Sequence, residues 1–246
     1  MKITPVTEID EGDVELKTAL NYNPWLFEYT SKRPETGRNP LETDRGGWRG
    51  YNKVYSKYLS EKKLQKLNIL EIGVHSGYGL LSWVSYFKNS TVTGIEIDSS
   101  WATSHHKILM EREEYSRVKI KYFNSTNPFD WNQNISQKFD IIIDDGSHKP
   151  KDQLQTFSIA SNYLKPGGIY FIEDISSRYY NPGAKIIFDK LSQLENEGFY
   201  VSVYSHKNEG WQKILSDKSI WNKYGVTENT PKIAEDYIAV IKFPQK

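Results

Sequence analysis

The chain has 246 residues, 26% of them charged and 37% hydrophobic, with a formal net charge of +1 and no cysteine. That length fits one sizeable α/β domain, alone or with an extension, and the near-neutral charge without a dense basic block argues against nucleic acid as a partner. Lack of cysteine excludes disulfides, thiolate metal sites and cysteine nucleophiles.

Residues 1–48 carry Pro5, Pro24, Pro34 and Pro40 and little periodicity. They read as an arm that wraps a partner or covers a cleft, ahead of a domain over 49–246. Met1-Lys2-Ile3-Thr4-Pro5 lacks the apolar stretch of a signal peptide, and no run approaches the roughly eighteen apolar residues of a membrane span. The expectation is a cytoplasmic protein with no membrane span. Tyr51, Val54, Tyr55, Tyr58 and Leu59 repeat at helical spacing. A strand, Asn68-Ile69-Leu70-Glu71-Ile72, then runs into a glycine turn, and 80–87 follows as a helix. Residues 91–98 read as a second strand ending in acid, 101–112 as a helix and 118–123 as a third strand. Residues 139–144 make a fourth strand and 153–164 a helix stopped by Lys165-Pro166-Gly167-Gly168. Residues 168–172 are the fifth strand and 184–194 a helix; 200–204 and 237–243 complete the set. Between these last two strands lies a polar stretch, 206–234, with Trp211 and Trp221, read as an insertion.

Strand and helix alternate through most of the chain, which predicts a Rossmann-like α/β fold: a mostly parallel sheet of seven strands with helices on both faces. The last two strands have no helix between them, which predicts an antiparallel edge.

Two apolar runs end in carboxylates: Phe139-Asp140-Ile141-Ile142-Ile143-Asp144-Asp145-Gly146-Ser147-His148, and Gly168-Ile169-Tyr170-Phe171-Ile172-Glu173-Asp174. Adjacent parallel strands deliver their C-terminal ends to one crevice. If these runs are neighbours, Asp145, His148, Glu173 and Asp174 converge and can hold a hard divalent cation beside a general base. Glu173 and Asp174 are consecutive, so on a regular strand they face opposite ways; both reach one ion only where the backbone turns. Asp145 also fits an Asx cap and His148 a helix cap or surface position. Asp144 fits a structural role better than a ligand role. His105 and His106 read as a solvated helix face, and His206 carries no reading.

Glu71-Ile72-Gly73-Val74-His75-Ser76-Gly77 follows a strand and opens a helix. Its G-x-x-x-G spacing differs from the dinucleotide G-x-G-x-x-G. It resembles the first motif of class I S-adenosylmethionine (SAM)-dependent methyltransferases, E/D-x-G-x-x-x-G. The resemblance implies that the turn with Glu71, Gly73 and Gly77 runs under the amino acid part of SAM, with His75 lining the pocket. It implies that Glu96, ending the second strand, bonds the ribose hydroxyls, and that Asn124 and Ser125 face the adenine; a solvated turn is the other reading of those two. Asp144 is counted with the cofactor side.

Asp145-Gly146-Ser147-His148 followed by Glu173-Asp174 is similar to the metal-dependent sugar O-methyltransferases of macrolide biosynthesis, the mycinamicin and macrocin type, and to related polysaccharide-cluster methyltransferases. The resemblance implies Asp145, Glu173 and Asp174 as ligands of Mg2+ (or Mn2+) and His148 as the catalytic base. Thr43-Asp44-Arg45-Gly46-Gly47-Trp48-Arg49-Gly50-Tyr51 is similar to a T-D-K-x-x-x-H-x-Y segment in these proteins, with Arg45 and Arg49 in place of Lys and His. The implied acceptor is a hydroxyl of a sugar or sugar-like unit. Methylation of a catechol or other small diol, or a non-catalytic partner subunit of the same fold, are the competing readings. A homo-oligomer is left open.

Overall fold

In a computed structural model of the chain, the described residues are 2–21, 45, 50–75, 77–99, 112–176, 183–207, 216–219, 221 and 235–245. Expectations for Asp44, Arg49, the helix over 101–112 with His105 and His106, and most of 206–234 lie outside them.

The strands are β1 (Ile3–Pro5), β2 (Asn68–Ile72), β3 (Thr91–Glu96), β4 (Val118–Tyr122), β5 (Phe139–Asp144), β6 (Leu164–Ser176), β7 (Tyr200–Lys207) and β8 (Glu235–Lys242). They form one sheet in the order β1-β7-β8-β6-β5-β2-β3-β4. Only β8 is reversed, antiparallel to β6 and β7 on either side; all other neighbours are parallel. The mostly parallel sheet is as the alternation predicts, but it has eight strands rather than seven. The extra strand, β1, comes from the part expected to be irregular: three residues are too short to carry a period, and pairing with β7 is what makes them a strand. Strand β6 also starts at Leu164, before Pro166, where a helix end was expected.

Period-2 alternation sorts the sheet's side chains onto two faces. Ile69, Ile141, Ile143, Ile169 and Phe171 face one buried cluster, which also holds Leu16 and Leu20 of α1 (Val14–Asn21), Tyr51, Val54, Tyr55, Tyr58 and Leu59 of α2 (Tyr51–Leu59), and Leu80, Leu81 and Trp83 of α3 (Tyr78–Tyr86). Leu70, Ile72, Ile142, Tyr170 and Ile172 face the other. That cluster holds Trp131 of α4 (Pro128–Asn134), Phe157 of α5 (Pro150–Ala160), and Ile187, Leu191 and Leu194 of α6 (Gly183–Asn196). The same parity decides which way the acids at the strand ends point. Among the described residues no helix is long and apolar enough to cross a membrane.

Candidate active site

Register brings the ends of three parallel strands level: Ile72 of β2 pairs with Asp144 of β5, and Asp144 with Ile172 of β6. Asp145 follows β5 directly, and its N–H donates to the Ile72 carbonyl at 2.9 Å. Glu173 and Asp174 lie beside it near the end of β6. Asp174 has φ +52°, and the β6–β8 register shifts between Ile172 and Ile175. The backbone therefore does turn where two adjacent acids require it. His148 (φ +56°) and His75 (φ +46°) are the other non-glycine residues of positive φ among those described. Such backbone strain concentrates at functional sites.

Three side chains meet here. Single ligand atoms of Asp145, His148 and Asp174 all lie within 4.8 Å of one another. His148 Nε2 is 3.8 Å from Asp145 Oδ1 and 4.0 Å from Asp174 Oδ2. The other Asp174 oxygen, Oδ1, accepts a 2.8 Å hydrogen bond from Tyr51 at the start of α2, and the Tyr51 hydroxyl also sits 3.2 Å from Nε2 of buried His206 on β7.

Glu173 has different company. It keeps the parity of Ile169 and Phe171 and points to the α2 face, where it is 2% exposed. Nε of Arg45 lies 2.9 Å and 3.0 Å from its two oxygens, and the Tyr55 hydroxyl donates to Oε1. The same guanidinium donates through Nη1 to Glu71 at 2.6 Å and through Nη2 to Asp145 Oδ2 at 2.5 Å. Arg45 thus joins the acid before the glycine turn to the acids ending β5 and β6. Burial opposes its charge, but Glu173, Glu71 and Asp145 outweigh that and raise its pKa well above the ordinary value. Burial pushes Glu173 up to about 7 despite Arg45, and Glu71 is raised for the same reason. Gly79 leaves the room this needs: a Cβ there would stand 2.2 Å from Glu71 Oε1 and 2.6 Å from Arg45 Nη1.

Asp144 lies on the opposite face, 2% exposed. It accepts from the Gly146 N–H at 3.2 Å and the Tyr170 hydroxyl at 3.3 Å. Burial raises its pKa to about 7, only partly offset by those bonds. The unfolded chain gives up this proton near the usual carboxylate range, so folding loses stability as pH rises from about 4 to about 7. Asp144→Asn keeps the shape and an acceptor. In chelator, its thermal melts are expected to match the parent's near pH 4. Above pH 7 the variant should be more stable, by on the order of 2–4 kcal/mol. A difference that does not change with pH contradicts this.

The glycine turn is tight for a steric reason. Gly73 has φ +87°, and a Cβ on it would meet the Asp145 carbonyl oxygen at 2.1 Å. Gly77 (φ +83°) caps α3. Glu96 faces this turn: Oε2 accepts from the N–H groups of Val74 (3.1 Å) and His75 (2.9 Å), and Oε1 from those of Ile97 (2.7 Å) and Asp98 (3.0 Å). One carboxylate ties the turn to the exit of β3. His75 is exposed. Asn124 Oδ1 accepts from Thr126 N–H at 3.0 Å in an Asx turn, and Ser125 Oγ is 3.2 Å from Thr156 Oγ1.

The residues that sequence reasoning passed over are Tyr55 and His206, and the central place of Arg45. Spacing from other acids gave no signal for Arg45, because its three partners lie 26, 100 and 128 positions away.

Residues 70–175 match the family described as a methyltransferase domain. The chain is 29% identical over 174 residues to the L-olivosyl-oleandolide 3-O-methyltransferase of Streptomyces antibioticus, across 65% of this chain and 42% of that protein. It is 28% identical over 140 residues to the mycinamicin VI 2''-O-methyltransferase of Micromonospora griseorubida, across 52% of this chain and 32% of that protein. The chain spans less than half the length of these curated relatives. Among solved structures, the MycE methyltransferase of the mycinamycin biosynthetic pathway, in complex with Mg and S-adenosylhomocysteine (SAH), is similar in fold. Its TM-score is 0.50 at 19% identity, over 92% of this chain and 55% of that one.

Proposed function

We propose that the chain, which carries a class I SAM-dependent methyltransferase domain, transfers the methyl group to a hydroxyl of a sugar or sugar-like unit with the help of a divalent cation. The observation that carries the metal part is the meeting of Asp145, His148 and Asp174 beside the glycine turn. Support for the acceptor class comes from relatives named for sugar-bearing macrolide and tetracenomycin substrates.

A sugar hydroxyl is a poor nucleophile at neutral pH. A divalent cation, when bound, lowers the pKa of an oxygen it holds. Two carboxylates and an imidazole converging from two strand ends fit such an ion. Asp145 and Asp174 would hold it, with His148 in reach of the same volume to take the proton or to complete the ligand set. Gly73 and Gly77 let the backbone pass close under the donor, and Glu96 holds that turn against β3. Arg45 neutralises part of the surrounding acid charge and fixes the Asp145 carboxylate through Oδ2, so that Oδ1 faces His148.

Calorimetry with SAH, with and without Mg2+ or Mn2+, followed by a screen of nucleotide sugars and oligosaccharides as acceptors, tests the proposal. SAH is expected to bind and methylated saccharide to form only with metal present. Turnover undiminished in chelator contradicts the metal role, and turnover of catechols alone favours the small-diol reading. Glu96→Gln turns one acceptor oxygen into a donor amide and breaks up to two of the four backbone bonds. It is expected to raise the Kd for SAH at least about tenfold; unchanged affinity removes Glu96 from the cofactor site.

A further inference from the structure

We infer that Tyr58, Tyr200, Ser202, Lys57 and Lys242 form a second binding site, for an acid-bearing sugar such as a uronate or a sugar phosphate, at the N-terminal end of β7. The anion part of this assignment stands on these residues alone. The sugar part rests on the acceptor class proposed above.

Sheet register assembles the site. Tyr200 of β7 pairs directly with Lys242 of β8, and Ser202 with Val240. Cross-strand partners share a face, here the face that puts Tyr204, Ile238 and Val240 into the cluster under α2. Tyr58 of α2 covers this corner, its hydroxyl 2.7 Å from that of Tyr204. The short β1 pairs only with Val203, Tyr204 and Ser205, so it stops before Tyr200, which is 51% exposed. His206, which meets Tyr51 at the candidate active site, lies toward the other end of the same strand.

Two features point to a ligand rather than to packing alone. The first is charge. Lys242 Nζ sits 4.8 Å from the Tyr58 ring centroid and 5.1 Å from that of Tyr200, and Lys57 Nζ sits 5.4 Å from that of Tyr204. Among the described residues neither ammonium has a carboxylate partner, whereas Lys53, Lys63, Lys165 and Lys185 each do. An aromatic face attracts a cation without neutralising it, so two positive charges remain for an anion. Tyr200 reports the same field: hydrogen bonds with Ser202 and Tyr58, then the charges of Lys57 and Lys242, hold its phenol below the ordinary pKa. The second is shape. The hydroxyls of Tyr58, Tyr200 and Ser202 bond among themselves at this spot. Hydroxyl and ammonium donors side by side suit a carboxylate or phosphate. The half-exposed Tyr200 ring beside them gives the apolar C–H face of a sugar a surface to lie on. A bare oxyanion uses only the donors, and a neutral sugar only the ring and hydroxyls.

The test uses the full chain at low salt, with trigalacturonate, glucose 6-phosphate, glucose and inorganic phosphate as probes. Calorimetry is expected to show one of the two acid-bearing sugars binding at least about tenfold more tightly than glucose or inorganic phosphate; which one it is identifies the acid. That binding should weaken severalfold as salt rises to about 0.5 M. Lys242→Gln and Tyr200→Ala should each weaken it at least about fivefold and leave SAH affinity unchanged. On the unaltered chain, where no variant has to fold, the bound sugar should slow acetylation of Lys57 and Lys242 by acetic anhydride and leave that of Lys185 unchanged, as read by mass spectrometry. Neither acid-bearing sugar binding, inorganic phosphate or glucose binding as tightly, or Lys57 and Lys242 acetylated at the same rate under saturating sugar overturns the inference. None of those results involves turnover, so each leaves the proposed function standing. Protection of both lysines in a chain that methylates no saccharide supports the site and counts against the proposed acceptor class instead.

Discussion

Arg45→Met is expected to lower folding stability by about 3–5 kcal/mol near pH 8, a fall in Tm of about 6–20 °C for a chain of this size. The guanidinium is buried and serves Glu71, Asp145 and Glu173 at once. Methionine fills a similar volume but leaves three acids facing one another with no cation. Their charge is the source of the cost, so pH tunes it. Glu173 already holds its proton to about pH 7 with Arg45 present. Without Arg45 the acids take up protons at higher pH still. A group whose folded pKa is raised loses stability as pH climbs from the unfolded value through the folded one, so the variant should recover toward the parent as pH falls to 5. Arg45→Lys keeps the charge but not the planar fork, and should recover only part of the loss. Thermal melts in chelator from pH 5 to 8 check this. A loss that is the same at every pH would mean that Arg45 acts through packing alone.

His148→Ala and Asp174→Asn are expected to cut turnover by about 10²–10⁴-fold, with SAH affinity kept within about threefold. In the proposed function His148 would take the proton or complete the ligand set, and either role requires this result. Asp174 is held by Tyr51 and faces His148, and the amide gives up the negative charge that the ion needs. His148 follows β5 and Asp174 lies near the end of β6, whereas the turn proposed to carry the cofactor, Gly73 to Gly77, follows β2, which is why binding and turnover should separate. Turnover within twofold of the parent in either variant removes that residue from the site.

Much of the sheet was readable because buried parallel strands are dense apolar runs, and five of them stand between helical repeats. The convergence of Asp145, His148 and Asp174, expected together with Glu173, was readable only on the condition that the two acid-ended strands are neighbours, which the pairing of β5 with β6 meets. Glu173 was harder. Parity alone sends it away from Asp174, and only the positive φ at Asp174 and the local register shift show how the chain resolves two adjacent acids. The partner that receives Glu173 was not readable, since Arg45 lies 128 positions earlier and the motif segment that holds it gives no sign of which acids it meets. His206 is on β7, in a strand whose other signals are ordinary, and its meeting with Tyr51 exists only in the folded sheet. The three-residue β1 lacks the length for a pattern.

The central claim is that the acids at two neighbouring strand ends share one cation beside the methyl-donor pocket. A crystal of the full chain grown with Mn2+ and SAH, measured for the anomalous signal of manganese, tests it most directly. The account predicts one strong peak about 2.0–2.6 Å from carboxylate oxygens of both Asp145 and Asp174, with SAH against Gly73 to Gly77. A peak elsewhere, or none with SAH in place, would contradict it.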